Sequence, residues 1–221
     1  MTTYLSEFEK VTKNGVAYIP LGTIEWHGSH LPIETDFLIA QKICELSAEN
    51  YPGYILPPFY LGSYGSSVIN GKEMRGMDRK LGKKLSGNLY FLEPFLFGKT
   101  LRALTNNLKD QGFNKIIIIS GHGGENQLKV LESINDEKVI SINPYAKIEC
   151  HHADEVETSI LWACYPEEEA KAKEIKTPEN DDLSNYRGYD VLAKSSLDMG
   201  KENLEIILKA IKEEVKEFLT G

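Results

Sequence analysis

Four isoleucines in a row, Ile116-Ile117-Ile118-Ile119 after Lys115, constrain the fold more than any other stretch of this chain. Successive side chains of a strand point to opposite faces. A strand with no polar face must be covered on both sides, as in a parallel sheet sandwiched by helices. The flanking segments fit that demand. Gly15–Leu21 (GVAYIPL) reads as a second buried strand, Lys138–Ile142 as another, and Tyr54–Leu56, ahead of Pro57-Pro58, as a short one. Phe37–Asn50 with Asp36 in cap position, Leu92–Gln111 ending at Gly112, and a segment from the Gly121–Gly124 turn to about Ile134 read as helices. Leu204, Ile207, Leu208, Ile211, Val215, Phe218 and Leu219 form one stripe at helical period. Gly62–Gly76, rich in Gly, Ser and Asn, reads as a long ordered loop. This alternation predicts the α/β class with a mainly parallel sheet. With no internal repeat and no low-complexity linker, one domain is expected over residues 1–221.

Charge narrows the partners. The chain holds 25 basic and 33 acidic residues, a net of -8, and no Lys/Arg cluster, so nucleic acid is not expected. Pro166–Asp182 alone carries seven acidic and three basic residues and reads as a surface loop or helix. No apolar run approaches the roughly 20 residues that span a bilayer, and Met1–Lys10 lacks a secretory core. Cys44, Cys150 and Cys164 are odd in number and scattered, which suits a reducing cytoplasm rather than a disulfide framework.

All five histidines fall just after predicted strands, in three segments that also hold carboxylates. Ligand sites of parallel α/β sheets lie beyond those carboxyl ends. In the first segment, Leu21–Asp36, residues Glu25 and His27 are two apart and would point the same way if extended. Asp36, at a helix start, would have its carboxylate oriented by orphan N–H groups. Mixed N/O donors suit zinc, manganese or iron better than calcium or magnesium. In the second segment, Ser120-Gly121-His122-Gly123-Gly124-Glu125-Asn126, glycines flank a histidine and let a ligand approach. A phosphate loop is the rival reading, although neither GxxxxGK[ST] nor GxGxxG is present. In the third, His151–Ser159, Asp154 and Glu157 lie one helical turn apart. An acidic first turn complementing the helix dipole is the plain alternative for Asp154 and Glu155.

Together the three segments resemble the motifs of the creatininase family. Gly22–Asp36 is similar to G-S-x-E-x-H-G-x-H-L-P-x-x-T-D, with Thr23 in place of Ser. Ser120–Asn126 is similar to N-G-H-G-G-N, and His152–Ser159 to H-A-G-E-x-E-T-S. The likeness weakens between Ser63 and Leu92 and near Gly188-Tyr189-Asp190. It implies a three-layer α/β/α fold, often assembled as a homo-hexamer, and metal-dependent hydrolysis of amide-type C–N bonds, usually at a dinuclear centre. It implies Glu25 on one metal, His27 on the other, Asp36 as the bridge, His122 as a further ligand and Glu157 as an additional one. His152 matches a histidine placed at the substrate, and with Glu155 or Glu157 nearby it would deliver a proton to the departing nitrogen. Where creatininase has a metal-binding Glu two residues past the motif histidine, this chain has Gly124, so Glu125 or Glu157 would supply that carboxylate. His30, Gly123, Gly124, Glu125 and His151 are expected at the substrate, with His151 and Lys147 able to meet a polar or anionic group.

The expectation is therefore a dinuclear amidohydrolase using two divalent Zn, Fe or Mn ions and a bridging hydroxide on a small-molecule amide. Gly123-Gly124 leaves open space above the metals, so creatinine is expected to be a poorer substrate than a formamide or cyclic amide. Within the family, a formamidopyrimidine-nucleotide deformylase is the alternative, and cleavage of a modified peptide is a third activity. From other classes stand a phosphate- or nucleotide-binding module, built on the Gly121–Gly124 turn and the Gly62–Ser67 segment, and a non-catalytic scaffold.

Overall fold

The isoleucine strand lies at the middle of a parallel sheet in this computed structural model, which describes residues 4–12, 15–175 and 182–221. Along the chain come α1 (Leu5–Thr12), β1 (Val16–Gly22), α2 (Thr35–Asn50), β2 (Tyr54–Ile55), β3 (Phe59–Tyr60), β4 (Gly62–Ser63), β5 (Ser66–Ile69), β6 (Lys72–Arg75) and α3 (Met77–Leu81). There follow β7 (Phe91–Leu92), α4 (Pro94–Asp110), β8 (Lys115–Ser120), α5 (Glu125–Glu132) and β9 (Val139–Ile142). After a 3₁₀ turn at Pro144–Lys147 come α6 (Glu155–Cys164), α7 (Glu167–Glu174), α8 (Asp182–Arg187), α9 (Val191–Lys194) and α10 (Leu197–Thr220). The main sheet runs β2-β1-β8-β9, with β3 also on β1, and every pairing is parallel.

The four isoleucines of β8 are fully buried and feed two cores in alternation. Ile117 and Ile119 pack with Ile39 and Ile43 of α2, Ile160 of α6 and Ile207 and Ile211 of α10. Ile116 and Ile118 pack on the opposite face with Phe97 and Leu101 of α4 and Leu131 of α5. Each such burial is worth about 1.5–3 kcal/mol. The result is the expected three-layer α/β/α arrangement, with the C-terminal stripe closing one face.

Two expectations need correction. Gly62–Gly76 is not a loop: β5 and β6 form an antiparallel hairpin, and β4 pairs with β7. The turn is Asn70-Gly71, both at positive φ (50° and 73°), as a type I′ hairpin demands. Nor is Asp36 the cap of α2. The helix begins at Thr35 with Glu34 before it, and Asp36 turns its carboxylate onto two histidines. The acidic run is helical over Glu167–Glu174, while its residues 176–181 lie outside the described residues.

Candidate metal centre

The carboxyl ends of β1, β8 and β9 open on one side of the sheet, and the loops there bring together residues far apart in sequence. Gly121 makes the approach feasible. A Cβ at this position would sit 1.9 Å from the Asp36 carbonyl oxygen, so only glycine lets the start of α2 lie against the end of β8. Asp36 thereby reaches the mouth of the sheet. The 23–34 loop is tied down by Glu25 N–H to the Ile33 carbonyl (3.0 Å) and Trp26 N–H to Asn88 Oδ1 (2.9 Å).

Six side chains converge. His27 Nδ1–H donates to the Glu25 carbonyl (3.0 Å), leaving Nε2 facing Asp36 Oδ1 at 3.1 Å and Glu157 Oε2 at 3.8 Å. His122 Nδ1 faces Glu25 Oε1 at 2.8 Å and Asp36 Oδ2 at 3.1 Å. His152 Nε2–H donates to the Trp26 carbonyl (2.6 Å), and its Nδ1 lies 3.5 Å from Glu25 Oε1. Three donor sets thus have their ligand atoms within 4.8 Å of one another: Glu25/Asp36/His122, His27/Asp36/Glu157 and Glu25/His27/His152. The first two share Asp36, which turns one oxygen toward each histidine. Glu157 is held in place by the Ala153 N–H (2.5 Å), and Ala153 adopts φ 52°, a left-handed conformation uncommon for a residue with a side chain.

Glu25, Asp36 and Glu157 are all buried, yet among the described residues none is ion-paired to Lys or Arg; histidine alone faces them. Buried charge without a cation is costly. With no ion bound, protons take up the balance. Burial works to lower the His27 pKa, and Asp36 overcomes it, lifting the imidazole to about 10. His122 rises likewise, against burial, through Glu25 and Asp36. Burial works to raise the Asp36 carboxyl, but the facing histidines hold it below the ordinary carboxylate range. Burial pushes Glu157 up. His152 goes the other way: burial takes it down to about 4, so its ring is neutral at pH 7. The donor set itself, imidazole and carboxylate in dry surroundings, fits a divalent transition metal.

The remaining expected residues divide. Gly123 and Gly124 line the cavity above the cluster, while Glu125 and His151 stand exposed at its rim. Glu125 turns to Lys129 (2.6 Å), so of the two carboxylates considered for the second donor set, Glu157 is the one in place. His30 is buried away from the cavity against Thr158 Oγ1 (2.9 Å) and ties the first loop to α6. Glu155 accepts the Tyr189 hydroxyl (2.5 Å) and does not line the cavity. Asp154 caps α6, accepting N–H groups from Val156 and Glu157. Tyr145, which sequence reasoning missed, lines the cavity with a buried hydroxyl that has no hydrogen-bond partner among the described residues. Its signal was Asn143-Pro144-Tyr145 directly after β9, where Asn143 caps a 3₁₀ turn. The cavity measures about 500 Å³.

A family model described as creatinine amidohydrolase matches residues 2–200. A creatinine amidohydrolase of Pseudomonas putida is 23% identical over 121 residues, covering 54% of this chain and 42% of that protein. The chain's match thus spans less than half the length of that relative. Among solved structures, one of creatinine amidohydrolase (creatininase) superposes with a TM-score of 0.71 at 17% identity, covering 98% of this chain and 96% of the other. A mutant creatininase described as Zn-Zn type gives 0.72 at 17% identity, covering 97% and 95%. At these identities the structural likeness concerns the fold.

Proposed function

The chain belongs to the creatininase family, and on that premise we propose that it is a dinuclear metal-dependent amidohydrolase cleaving a non-peptide amide C–N bond. One observation carries the reading: three buried carboxylates, Glu25, Asp36 and Glu157, in two donor sets that share Asp36 with a histidine on either side, have no Lys or Arg to balance them among the described residues. Glu25, Asp36 and His122 would hold one ion, and His27, Asp36 and Glu157 the other. The Zn-Zn form of a structural neighbour supports zinc as the first ion to try. Bound ions supply Lewis acidity to the amide carbonyl and bring the pKa of water toward neutrality.

The chain's own groups do the rest. His152 keeps Nε2–H on the Trp26 carbonyl, so its lone pair at Nδ1 faces the cluster. A neutral imidazole so fixed takes the proton of the attacking water and returns it to the leaving nitrogen, which departs as an amine while the carbonyl carbon becomes a carboxylic acid. The orphaned Tyr145 hydroxyl donates to the oxygen of the bound carbonyl as charge develops there. A cavity of about 500 Å³ is in the range that takes drug-sized ligands, which supports a substrate larger than creatinine.

The test is metal content and turnover together. Protein reconstituted with zinc or manganese is expected to bind two ions per chain and to hydrolyse a formamide or cyclic amide faster than creatinine. Asp36→Ala is expected to lose both ions and at least about 10³-fold in kcat, because catalysis here needs the water activated by them. Full activity in rigorously metal-free protein would overturn the proposal.

A further inference from the structure

One peptide unit beside the acidic cluster is gripped at both ends. The carbonyl of His152 accepts a hydrogen bond from Arg187 Nη2. The N–H of the same peptide, on Ala153, donates to Glu157 Oε2 (2.5 Å). The unit is planar and trans, so its C=O and N–H point in opposite directions. Arg187 and Glu157 therefore hold it from opposite sides. Ahead of the peptide stands His152, whose ring is fixed on the Trp26 carbonyl (2.6 Å). Behind it Ala153 keeps φ at 52°. A residue with a side chain stays in that region only where its surroundings over-determine it.

Arg187 is delivered to this place by elements outside the three histidine segments. It ends α8, and α8 is seated on the first loop through buried Leu183, whose Cδ2 lies 2.9 Å from where a Cβ on Gly28 would stand. Gly188 follows at φ 76° and closes the helix with its N–H on the Ser184 carbonyl (2.8 Å). Tyr189 then ties the chain to α6 by donating to Glu155 Oε2 (2.5 Å). The guanidinium is thus braced on the loop that carries His27 and on the helix that carries Glu157.

We propose that Arg187 is a positioning residue: through the His152–Ala153 peptide it holds the Glu157 carboxylate and the His152 imidazole in place at the cluster. The proposal rests on the amidohydrolase reading and deepens it by adding a residue that touches neither the ions nor the substrate. Geometry is one part of the effect and polarisation the other. A cation on the carbonyl oxygen draws electron density along the peptide, which makes the N–H a stronger donor to Glu157, as hydrogen bonds in a chain strengthen one another. An arginine set directly on Glu157 would occupy the oxygens that an ion needs. One peptide's remove anchors the carboxylate and leaves it a metal donor, the kind of outer support that ligating carboxylates use.

Two measurements test this. The first is hydrogen exchange of the Ala153 amide, followed by NMR in metal-free protein. Arg187→Gln is expected to speed it at least about tenfold, and Arg187→Lys, which keeps a cation for the carbonyl, to fall between Gln and wild type. The second is a calorimetric zinc titration. Arg187→Gln is expected to hold one ion as wild type does and the other at least about tenfold more weakly. Tyr189→Phe, which frees the same segment from α6 without touching the peptide, is the control for a merely structural loss and is expected to change neither readout. Unchanged Ala153 exchange in Arg187→Gln would overturn the proposal. Equal weakening of both ions, or an equal effect of Tyr189→Phe, would overturn it too. Because exchange is read without metal, the proposal fails separately from the amidohydrolase reading, which fails on metal content and turnover.

Discussion

Single atoms decide whether this site exists. Gly121→Ala would place a methyl group inside the Asp36 carbonyl oxygen, and α2 would have to lift off β8. The expected cost is about 1–3 kcal/mol or more, read by denaturant unfolding, together with reduced metal uptake. Tyr145→Phe removes only the orphaned hydroxyl; kcat should fall about 10²-fold with stability and metal content unchanged, which steady-state kinetics and metal analysis check. The six converging residues were readable because each sits in a short motif with chemically distinctive neighbours. Glu155, His30 and Glu125 were not separable from them by type alone. What separates them is direction: residues two apart on a helix face different ways, so Glu155 and Glu157 could not both reach the cavity. The Tyr145 hydroxyl was invisible because lacking a partner is a property of three-dimensional surroundings.

At the scale of elements, α6 is the piece that brings Glu157 to the cluster, and its start is fixed by Asp154. The Asp154 carboxylate accepts N–H groups from His151, Val156 and Glu157. Asp154→Ala should cost about 1–2 kcal/mol by urea denaturation, and should weaken metal binding because Glu157 loses its fixed position. The long strands and helices were legible because their apolar periods are long and unbroken, β8 most of all. The hairpin of β5 and β6 was not, since strands of four residues carry little apolar pattern and Gly/Ser composition signals a loop. The Asn70-Gly71 pair was the cue, a dipeptide that supplies the two positive φ angles a tight hairpin needs.

For the whole molecule, proton and metal compete for the same nitrogens. Without metal, His27 has its pKa raised from 6.5 to about 10 in the fold. A raised folded pKa gives stability that is fully present below about 6.5 and is lost as pH climbs through 10. The raised Glu157 acts with the same sign, starting from its ordinary carboxylate value. The metal-free protein should therefore lose stability at up to about 1.4 kcal/mol per pH unit per proton through this window. The metal-loaded protein should not, because the ion has already displaced the proton from His27; thermal melts at stepped pH with and without chelator would show the difference. The donors at 25, 27, 36, 122 and 157 come from two strand ends and two helices. They meet only when a sheet of non-local parallel pairings has closed, a slow kind of assembly. The ion is thus captured late, as a latch rather than a seed. Adding zinc should leave the refolding rate of the chelated protein unchanged and slow its unfolding, as stopped-flow measurements of both limbs would register.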